Sequence, residues 1–429
     1  MRIGIISINI HTKVLNFASP LHSVAFQQFL KQHGIDSTII DYKPNYYGKF
    51  DVRHPLDYYR EHPEDDPILQ QRLLKKWETL YAAREKRFDR FEEFVQTYYK
   101  KTKRCHSAKK LDERDLGYDC YICATDVIWK HSKKSGFDRG FFLACKSMEG
   151  KKKIAYAASR GASRYTSRQA KDFFNYISDI DYISVREKSL MEYIKEHSDL
   201  SVSHVLDPVF LQEKPFYEEM AIHPQEKNYI LIYLAMEKAD SLVKTAIAFA
   251  REHGFSVIEL SEYPDHEKLA DGVDYKLVYD IGVEEWLGYM LHAKYIFTNS
   301  FHACCFSVIF QKQFYAGARA GDKIDSVLDL FELSNRRVKG YNPKLAQSLP
   351  DIDFGPVEDL RRQYVKASSD FILNAIQEIE TGEHQNHRHL VHDEVYNAQK
   401  TLSEIIAENP FFNKAYQKGR NLYKVLFRH

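Results

Sequence analysis

His302 is the residue whose sequence context points most clearly to chemistry. The apolar residues 295–297 come just before Asn299 and Ser300, and the mostly apolar stretch 303–310 follows the histidine. This order predicts a buried strand, a turn with Ser300 as N-cap, and a helix with His302 in its first turn. A helix start offers free N–H groups and a positive dipole end to an anion. Because a histidine there can donate a hydrogen bond or carry a proton, we predict an anion-handling active site.

Charged side chains also follow two other predicted strands. Arg186 comes directly after the strand predicted at residues 182–185, and its guanidinium could hold a carboxylate or phosphate with two hydrogen bonds. An ion pair with the neighbouring Glu187 is the alternative. Asp126 follows the strand predicted at residues 118–124, where it could act as a base or cap the next turn. Both interpretations stay open for each residue.

Three further cations lie beside predicted strands. Arg160 follows residues 153–159 in the same strand-end position. Arg319 and Lys323 follow the strand predicted at residues 313–316, one element beyond the helix of the predicted anion site. They could complete a cationic lining, or they could be solvated positions on loops.

The bulk composition sets the broad class of the protein. A length of 429 residues favours two domains, and 28% charged with 44% hydrophobic residues is typical of a soluble globular protein. The 61 basic and 60 acidic residues nearly cancel, so the net charge does not suggest nucleic acid as a partner. The six cysteines are scattered, and no apolar run has the length of a signal peptide or membrane span. We therefore predict a cytoplasmic protein.

The order of predicted elements indicates an α/β fold. Strand and helix signals alternate through residues 1–215 and again through residues 216–355, which predicts two Rossmann-like domains that face a cleft. A charged stretch at about 44–117, with apolar residues at three- and four-residue offsets, predicts a helical insertion in the first domain. Residues 356–380 predict a helix that crosses back over the first domain. Residues 381–429 form a His-rich linker and a basic helical tail.

Two features of this C-terminal segment can each be interpreted either as functional or as ordinary surface structure. Four histidines of the linker could bind a metal or lie in a solvated segment, and we predict no metal site: His384, His387, His389 and His392. Residues 410–429 carry Lys and Arg among aromatic residues and no acid. They could make peripheral contact with the inner face of a membrane or pack on the protein itself.

Several short motifs follow one another along residues 1–379. In chain order they are a loop at Asn16 and the short sequences ATDVIWK (from Ala124), YAAS (from Tyr156), SVRE (from Ser184), LDP (from Leu206) and TNSFH (from Thr298). With these motifs in this order, the chain resembles the polysaccharide pyruvyl transferase family. It departs from the family pattern at Ala18, His22, Thr125, Lys130 and Ala303. The family has glutamine at the position of His22 and glycine at that of Ala303.

The resemblance implies a fold and a reaction. The fold would be like that of two-domain, glycosyltransferase-B-like enzymes. The enzyme would move the enolpyruvyl group of phosphoenolpyruvate onto a sugar of a surface polysaccharide precursor, forming a pyruvate ketal and releasing phosphate. Its partners would be phosphoenolpyruvate, as donor substrate rather than cofactor, and a sugar acceptor that could be lipid-linked. No cofactor or metal is expected, and the oligomeric state is not predicted.

The resemblance also assigns roles to residues. His302 would bind the anion or supply the proton, Asp126 would accept protons from sugar hydroxyls, and Arg186 would hold a carboxylate or phosphate. We expect the substrate-binding residues to be Asn299, Ser300, Arg160, Glu187, Arg319, Lys323 and Asn16. Asp207, which precedes Pro208, is interpreted as a turn residue or an interdomain brace.

Two other functions are compatible with the same architecture. A nucleotide-sugar glycosyltransferase is the enzymatic alternative. Glu259 and Glu267 have the E-x7-E spacing of some such enzymes, but they flank a predicted strand end and a Pro-containing loop. The other alternative is a non-catalytic glycan-binding protein that keeps the fold.

Overall fold

The structure is a computed structural model that describes residues 1–345, 350–382, 390–398 and 404. The strands of its first sheet are β1 (Ile3–Ile6), β2 (Ser37–Ile39), β3 (Cys120–Ala124), β4 (Lys152–Ala158), β5 (Tyr182–Val185) and β6 (Val202–His204). They pair in parallel in the order β2-β1-β3-β4-β5-β6. Every residue of β1 and β3 is buried, as expected for a parallel sheet that is covered on both faces.

Helices cover this sheet and form an insertion between β2 and β3. They are α1 (Ala18–Gln32), α2 (Pro55–Glu61), α3 (Pro67–Thr79), α4 (Tyr81–Tyr98), α5 (Ala108–Glu113), α6 (Ser167–Ile177) and α7 (Lys188–His197). The insertion comprises α2 to α5. It separates two strands that are not neighbours in the sheet, so it lengthens the first domain without breaking the sheet.

A second parallel sheet follows in the chain. Its strands are β7 (Tyr229–Tyr233), β8 (Ser256–Glu259), β9 (Tyr275–Leu277), β10 (Tyr295–Thr298), β11 (Gln313–Gly317) and β12 (Arg337–Val338). Their order is β12-β11-β10-β7-β8-β9. The accompanying helices are α8 (Lys214–Met220), α9 (Asp240–His253), α10 (Val283–His292), α11 (Phe301–Ile309) and α12 (Lys323–Leu330). Two parallel α/β sheets whose carboxyl ends meet at a cleft confirm the predicted fold class.

The helical insertion binds the two domains together. Lys76 Nζ lies 2.7 Å from Glu262 Oε2, and Arg84 Nη1 donates to Tyr279 Oη at 2.9 Å. Phe91 of α4 belongs to the same buried apolar cluster as Trp286 of α10. The insertion therefore contributes to the interdomain core as well as to ion pairs across the cleft.

The C-terminal part returns from the second domain to the first. Helix α13 (Phe354–Thr381) hydrogen-bonds to the first domain, where the Leu206 N–H donates to Ser368 Oγ and Tyr182 Oη donates to Glu378 Oε2. A short helix, α14 (Asp393–Asn397), follows. His392 Nε2 lies 3.4 Å from Asp199 Oδ1.

Part of the predicted C-terminal segment cannot be compared with the structure. The linker residues His384, His387 and His389, and the basic stretch 410–429, lie outside the described residues. Among the helices that are described, none combines the length and the apolar character that crossing a bilayer requires.

One strand boundary matters for the site. The sequence predicts a strand at residues 204–206, but β6 ends at His204. Asp207 then caps a 3₁₀ turn, Pro208–Leu211, because its Oδ1 accepts a hydrogen bond from the Val209 N–H at 3.2 Å. Asp207 is thus placed just beyond a strand end, at the edge of the sheet that faces the cleft.

We expect Gly288→Ala to destabilise the fold. Alanine normally stabilises a helix interior by about 1 kcal/mol relative to glycine. A Cβ at Gly288 in α10 would lie 1.8 Å from the Ile222 carbonyl oxygen, so the close packing should reverse the sign and cost about 1–3 kcal/mol. Urea unfolding measures the difference. Gly340→Ala is the control, because its Cβ would meet nothing within 4 Å; equal stability of the two variants would contradict the packing.

Candidate active site

Arg186 lies at the centre of a buried cluster of carboxylates. Its side chain is 1% exposed and directs each nitrogen at a different acid. Nη1 donates to Asp207 Oδ2 at 2.8 Å, Nη2 to Asp126 Oδ1 at 2.9 Å, and Nε to Glu187 Oε1 at 3.2 Å. The predicted ion pair with Glu187 is present. All three guanidinium nitrogens thus donate to protein carboxylates. Arg186 therefore organises the site and does not present a free pair of donors to a substrate.

The carboxylates follow the ends of three strands of the first sheet. Asp126 follows β3, Glu187 follows β5, and Asp207 comes after β6. Parallel strands end at the same edge of a sheet, which brings these side chains together. Burial would raise the pKa of Asp126 and of Asp207. The charges of Arg186 and then Lys323 nevertheless hold the pKa of Asp126 well below its usual range, and His302 and then Arg186 do the same for Asp207.

His302 reaches this cluster from the second domain. Ser300 caps α11 by accepting a hydrogen bond from the Ala303 N–H at 3.4 Å, as the sequence predicts, and His302 lies in the first turn. Its Nε2 is 3.4 Å from Asp207 Oδ2, a contact of ion-pair length without hydrogen-bond geometry. The anion nearest the histidine is therefore a residue of the protein, and the His302–Asp207 contact joins the two domains.

His22 is a second histidine at the site, and the sequence interpretation did not include it among the functional residues. Its ring lies 6.0 Å from the His302 ring, and it is 1% exposed. Nδ1 contacts Ser23 Oγ at 3.2 Å, while Nε2 has no hydrogen-bond partner in the described residues. Burial lowers the pKa of His22 to about 4, so the ring is neutral near pH 7. Its only sequence signal is that it replaces the family's glutamine.

The backbone that carries Asp126 is strained. Thr125 and Asp126 have φ values of 54° and 58°, a left-handed conformation that is unfavourable for a β-branched residue. Thr125 Oγ1 donates to Asp207 Oδ2 at 2.9 Å, and the Ser159 N–H donates to the Asp126 carbonyl at 3.1 Å. Such strain persists only where surrounding contacts enforce it, and it is concentrated at functional sites.

Two of the predicted cations line the opening of the site. Lys323 Nζ lies 3.8 Å from Asp126 Oδ1, and its side chain is 20% exposed. Burial, and then the charge of Arg186, lower the pKa of Lys323 to about 8, although Asp126 opposes the shift. Arg319 is 24% exposed and lies 4.0 Å from Glu237 Oε1. Both cations can therefore still meet an anion that enters from solvent.

The remaining predicted residues have supporting contacts. Asn299 holds the loop after β7, because Oδ1 accepts from the Ala235 N–H at 2.7 Å and Nδ2 donates to the Glu237 carbonyl at 2.9 Å. Asn16 Oδ1 accepts from Tyr233 Oη at 3.4 Å, a contact between the domains. Arg160 lies over the Tyr193 ring at 4.7 Å instead of on a carboxylate of the described residues.

A possible metal-ligand group lies elsewhere in the first domain. His11, Asp41 and Cys105 place their ligand atoms within 4.8 Å of one another. Asp41 already has partners on both oxygens, because His11 Nε2 lies 2.6 Å from Oδ1 and Lys101 Nζ lies 2.8 Å from Oδ2. Because this group lies away from Arg186 and both Asp41 oxygens are already paired, it does not indicate a metal at the candidate active site.

The arrangement suits chemistry at a centre that becomes positive. The three carboxylates face the two cations Arg186 and Lys323, so these five side chains together carry a negative charge. A carbon that develops positive charge would be stabilised there. The negative groups of a substrate would be held at Lys323 and Arg319, and His302 could transfer a proton.

We expect Arg186→Gln to reverse the pH dependence of stability. Without the guanidinium, which is the largest influence that lowers the pKa of Asp126, that pKa should rise above its unfolded value, since burial then dominates. A raised folded pKa gives stability that is lost as the pH rises through it, so the variant should be less stable at pH 7 than at pH 5. The loss at pH 7 should be about 3–5 kcal/mol.

Urea unfolding at the two pH values measures this effect. The wild type should not gain stability between pH 7 and 5, because its site carboxylates have lowered pKa values. Arg160→Gln is the matched control and should change stability by less than about 1 kcal/mol at both pH values, the size of a cation–π contact. A variant Arg186→Gln with the wild-type pH slope would contradict the assignment.

Comparison with known proteins identifies the family. The model of the family "Polysaccharide pyruvyl transferase" matches residues 21–317, well over half of the chain. No curated protein matches it significantly. Similar solved structures include UDP-GlcNAc 2-epimerase from Neisseria meningitidis bound to UDP-GlcNAc (10% identity, TM-score 0.49, covering 88% of this chain and 100% of that one). Another is MurG from Acinetobacter baumannii (8% identity, TM-score 0.38, covering 93% and 99%). On the family match, the chain is a transferase and belongs to the polysaccharide pyruvyl transferase family.

Proposed function

We propose that this enzyme transfers the enolpyruvyl group of phosphoenolpyruvate to two hydroxyls of a sugar in a surface polysaccharide precursor. The observation that carries the proposal is the contact of His302 with the buried carboxylates around Arg186, between the two domains. In this reaction a proton adds to the methylene carbon of phosphoenolpyruvate and two C–O bonds form at C2, while the C2–O bond to phosphate breaks. One hydroxyl proton balances the new methyl group, and the other leaves with phosphate.

His302 is the proposed proton carrier. It would protonate the methylene carbon and recover a proton from an attacking hydroxyl. Asp207, 3.4 Å from Nε2, would orient the ring and offset its positive charge when it carries the proton. His302 alone among the predicted catalytic residues combines a titratable ring with a position on the second domain, opposite the carboxylates.

Asp126 and Asp207 would act mainly through their negative charge. Protonation at the methylene carbon leaves positive charge at C2, and fixed carboxylates in a buried site stabilise such charge. The strongly lowered pKa of Asp126 makes it a poor base, although its oxygens can still accept hydrogen bonds from sugar hydroxyls. This modifies the expectation that Asp126 accepts the hydroxyl protons.

Lys323 and Arg319 are the proposed contacts of the donor's phosphate and carboxylate. They are the cations of the site that are partly exposed, whereas each nitrogen of the buried Arg186 already donates to a protein carboxylate. The buried carboxylates would repel the donor's negative groups, which favours binding with those groups toward the two outer cations.

We expect His302→Gln to lower phosphate release from phosphoenolpyruvate by about 10²–10⁴-fold in the presence of a sugar acceptor, because it removes proton transfer. Thermal stabilisation by phosphoenolpyruvate should persist, since Lys323 and Arg319 are unchanged. His33→Gln, at an exposed position directly after α1, is the control and should keep full activity.

Two outcomes would favour the alternatives. Stabilisation and turnover with nucleotide sugars, but not with phosphoenolpyruvate, would indicate a glycosyltransferase. Tight glycan binding without any turnover by the wild type would indicate a non-catalytic glycan-binding protein.

We expect phosphoenolpyruvate binding to weaken above pH 8. The Lys323 pKa of about 8 means that the ammonium is present below this pH and lost above it. Affinity should therefore fall about tenfold between pH 7 and 9, in proportion to the protonated fraction. Calorimetric titration at the two pH values measures it. Lys323→Arg should remove the fall because arginine stays charged, whereas Lys188→Arg, a surface control, should retain it. Equal affinity of the wild type at both pH values would exclude Lys323 as the contact.

A further inference from the structure

A narrow pocket opens at the carboxyl ends of β7 and β8, beside the His302 site. Its lining residues come from both domains and from the insertion, and include Asn16, Arg87, Tyr233, Met236 and Glu262. Its free volume of about 30 Å³ admits one or two water-sized atoms and therefore one end of a ligand, not a whole substrate molecule. The mechanism proposed above does not use this pocket.

Arg87 brings an incompletely paired charge to the pocket. The residue is 4% exposed, and its Nη2 donates to the Leu15 carbonyl at 2.6 Å. Its Nε and Nη1 have no hydrogen-bond partner in the part of the chain that the structure describes. The guanidinium is held between aromatic rings, 4.0 Å from the Phe17 centroid and 4.7 Å from that of Tyr279. A buried charge without an anionic partner is unfavourable, so its retention here suggests a bound anion.

The acid in this pocket does not neutralise Arg87. Glu262 Oε2 lies 2.7 Å from Lys76 Nζ, and its Oε1 lies 3.2 Å from Arg84 Nη1. Burial would raise the pKa of Glu262, but Lys76 and Arg84, followed by the more distant charge of Arg87, lower it to about 2, so it stays ionised. Two cations thus balance one acid before Arg87 is counted, and the surroundings of the pocket are positive.

The pocket is joined to the His302 site through the second sheet. β7 lies between β8 and β10, and Asn299 at the end of β10 binds the loop after β7 through the Ala235 N–H and the Glu237 carbonyl. Adjacent strands are about 4.8 Å apart, so the ends of β8 and β10 are separated by roughly 10 Å. A single sugar phosphate can span a distance of this order.

We propose that Arg87 binds a phosphate group of the sugar acceptor, while the acceptor's hydroxyls reach His302 and Asp126. This assignment rests on the proposed transferase function. The donor's phosphate would occupy the Lys323 side of the cleft, and the acceptor's phosphate the Arg87 side. The acceptor class is accordingly a phosphorylated sugar, as found in both nucleotide-linked and lipid-linked precursors.

The test is binding of inorganic phosphate to the full chain, with and without saturating phosphoenolpyruvate. With the donor site filled, phosphate should still raise the melting temperature of the wild type. Arg87→Met should weaken this phosphate binding at least tenfold and leave the response to phosphoenolpyruvate intact. Lys86→Met removes a charge from an exposed position of the same helix and should behave as the wild type.

Stability of the free protein separates binding from a structural role. If Arg87 serves a ligand, Arg87→Met should melt at or above the wild-type temperature, since it removes a buried, incompletely paired charge at similar side-chain length. A lower melting temperature with unchanged phosphate affinity would assign Arg87 to structure and overturn the proposal.

Other results also have defined meanings. Loss of the phosphate effect in the wild type once phosphoenolpyruvate is bound would show a single anion site and overturn the proposal. Absence of any response to phosphoenolpyruvate would contradict the proposed donor, but the phosphate comparison between Arg87→Met and Lys86→Met would still report on the pocket. Acceptor KM with a sugar phosphate, against that with the unphosphorylated sugar, should differ in the wild type and not in Arg87→Met.

Discussion

The site depends on one guanidinium that pairs with three carboxylates, two of them buried and one partly exposed. Arg186 pairs with Asp126, Glu187 and Asp207, and without its charge these acids could not all stay ionised in a buried cluster. Such clusters are seldom the most stable solution, because desolvation of each ion offsets most of the attraction. Their benefit here is geometric. Arg186 fixes the strand ends of the first domain relative to one another, and Asp207 then gives His302 of the second domain a defined partner.

The helical insertion also holds the two domains in position relative to each other. Phe17, before α1, stacks on Trp286 of α10 at 5.9 Å, and the aromatic residues of α4 join this apolar cluster. The ion pairs of Lys76 and Arg84 with Glu262 add directional contacts. Because the His302–Asp207 contact crosses the domain boundary, any opening of the cleft would separate the proposed proton carrier from the acid proposed to orient it. The apolar contacts and the chemistry are therefore coupled.

The sequence predicted those site residues whose positions depend on where the strands end. Arg186, Asp126 and His302 come within four residues of a strand end, and parallel topology brings such positions to one edge of each sheet. The sequence could not show which groups the Arg186 guanidinium contacts. Its three carboxylate partners are separated by up to 81 positions and meet only after the sheet forms. Arg87 was not recognised for a similar reason. On a charged amphipathic helix it looks like a solvated residue, and only docking of the insertion buries it.

The departure of His22 from the family pattern is also understandable in physical terms. The family has glutamine there, a neutral side chain that can donate and accept hydrogen bonds. Histidine would add a positive charge beside His302 if it were protonated, but burial lowers its pKa to about 4 and keeps the ring neutral. The replacement therefore conserves charge and hydrogen-bonding capacity while changing shape. Because burial keeps His22 neutral, histidine in place of glutamine leaves the charge of the site unchanged.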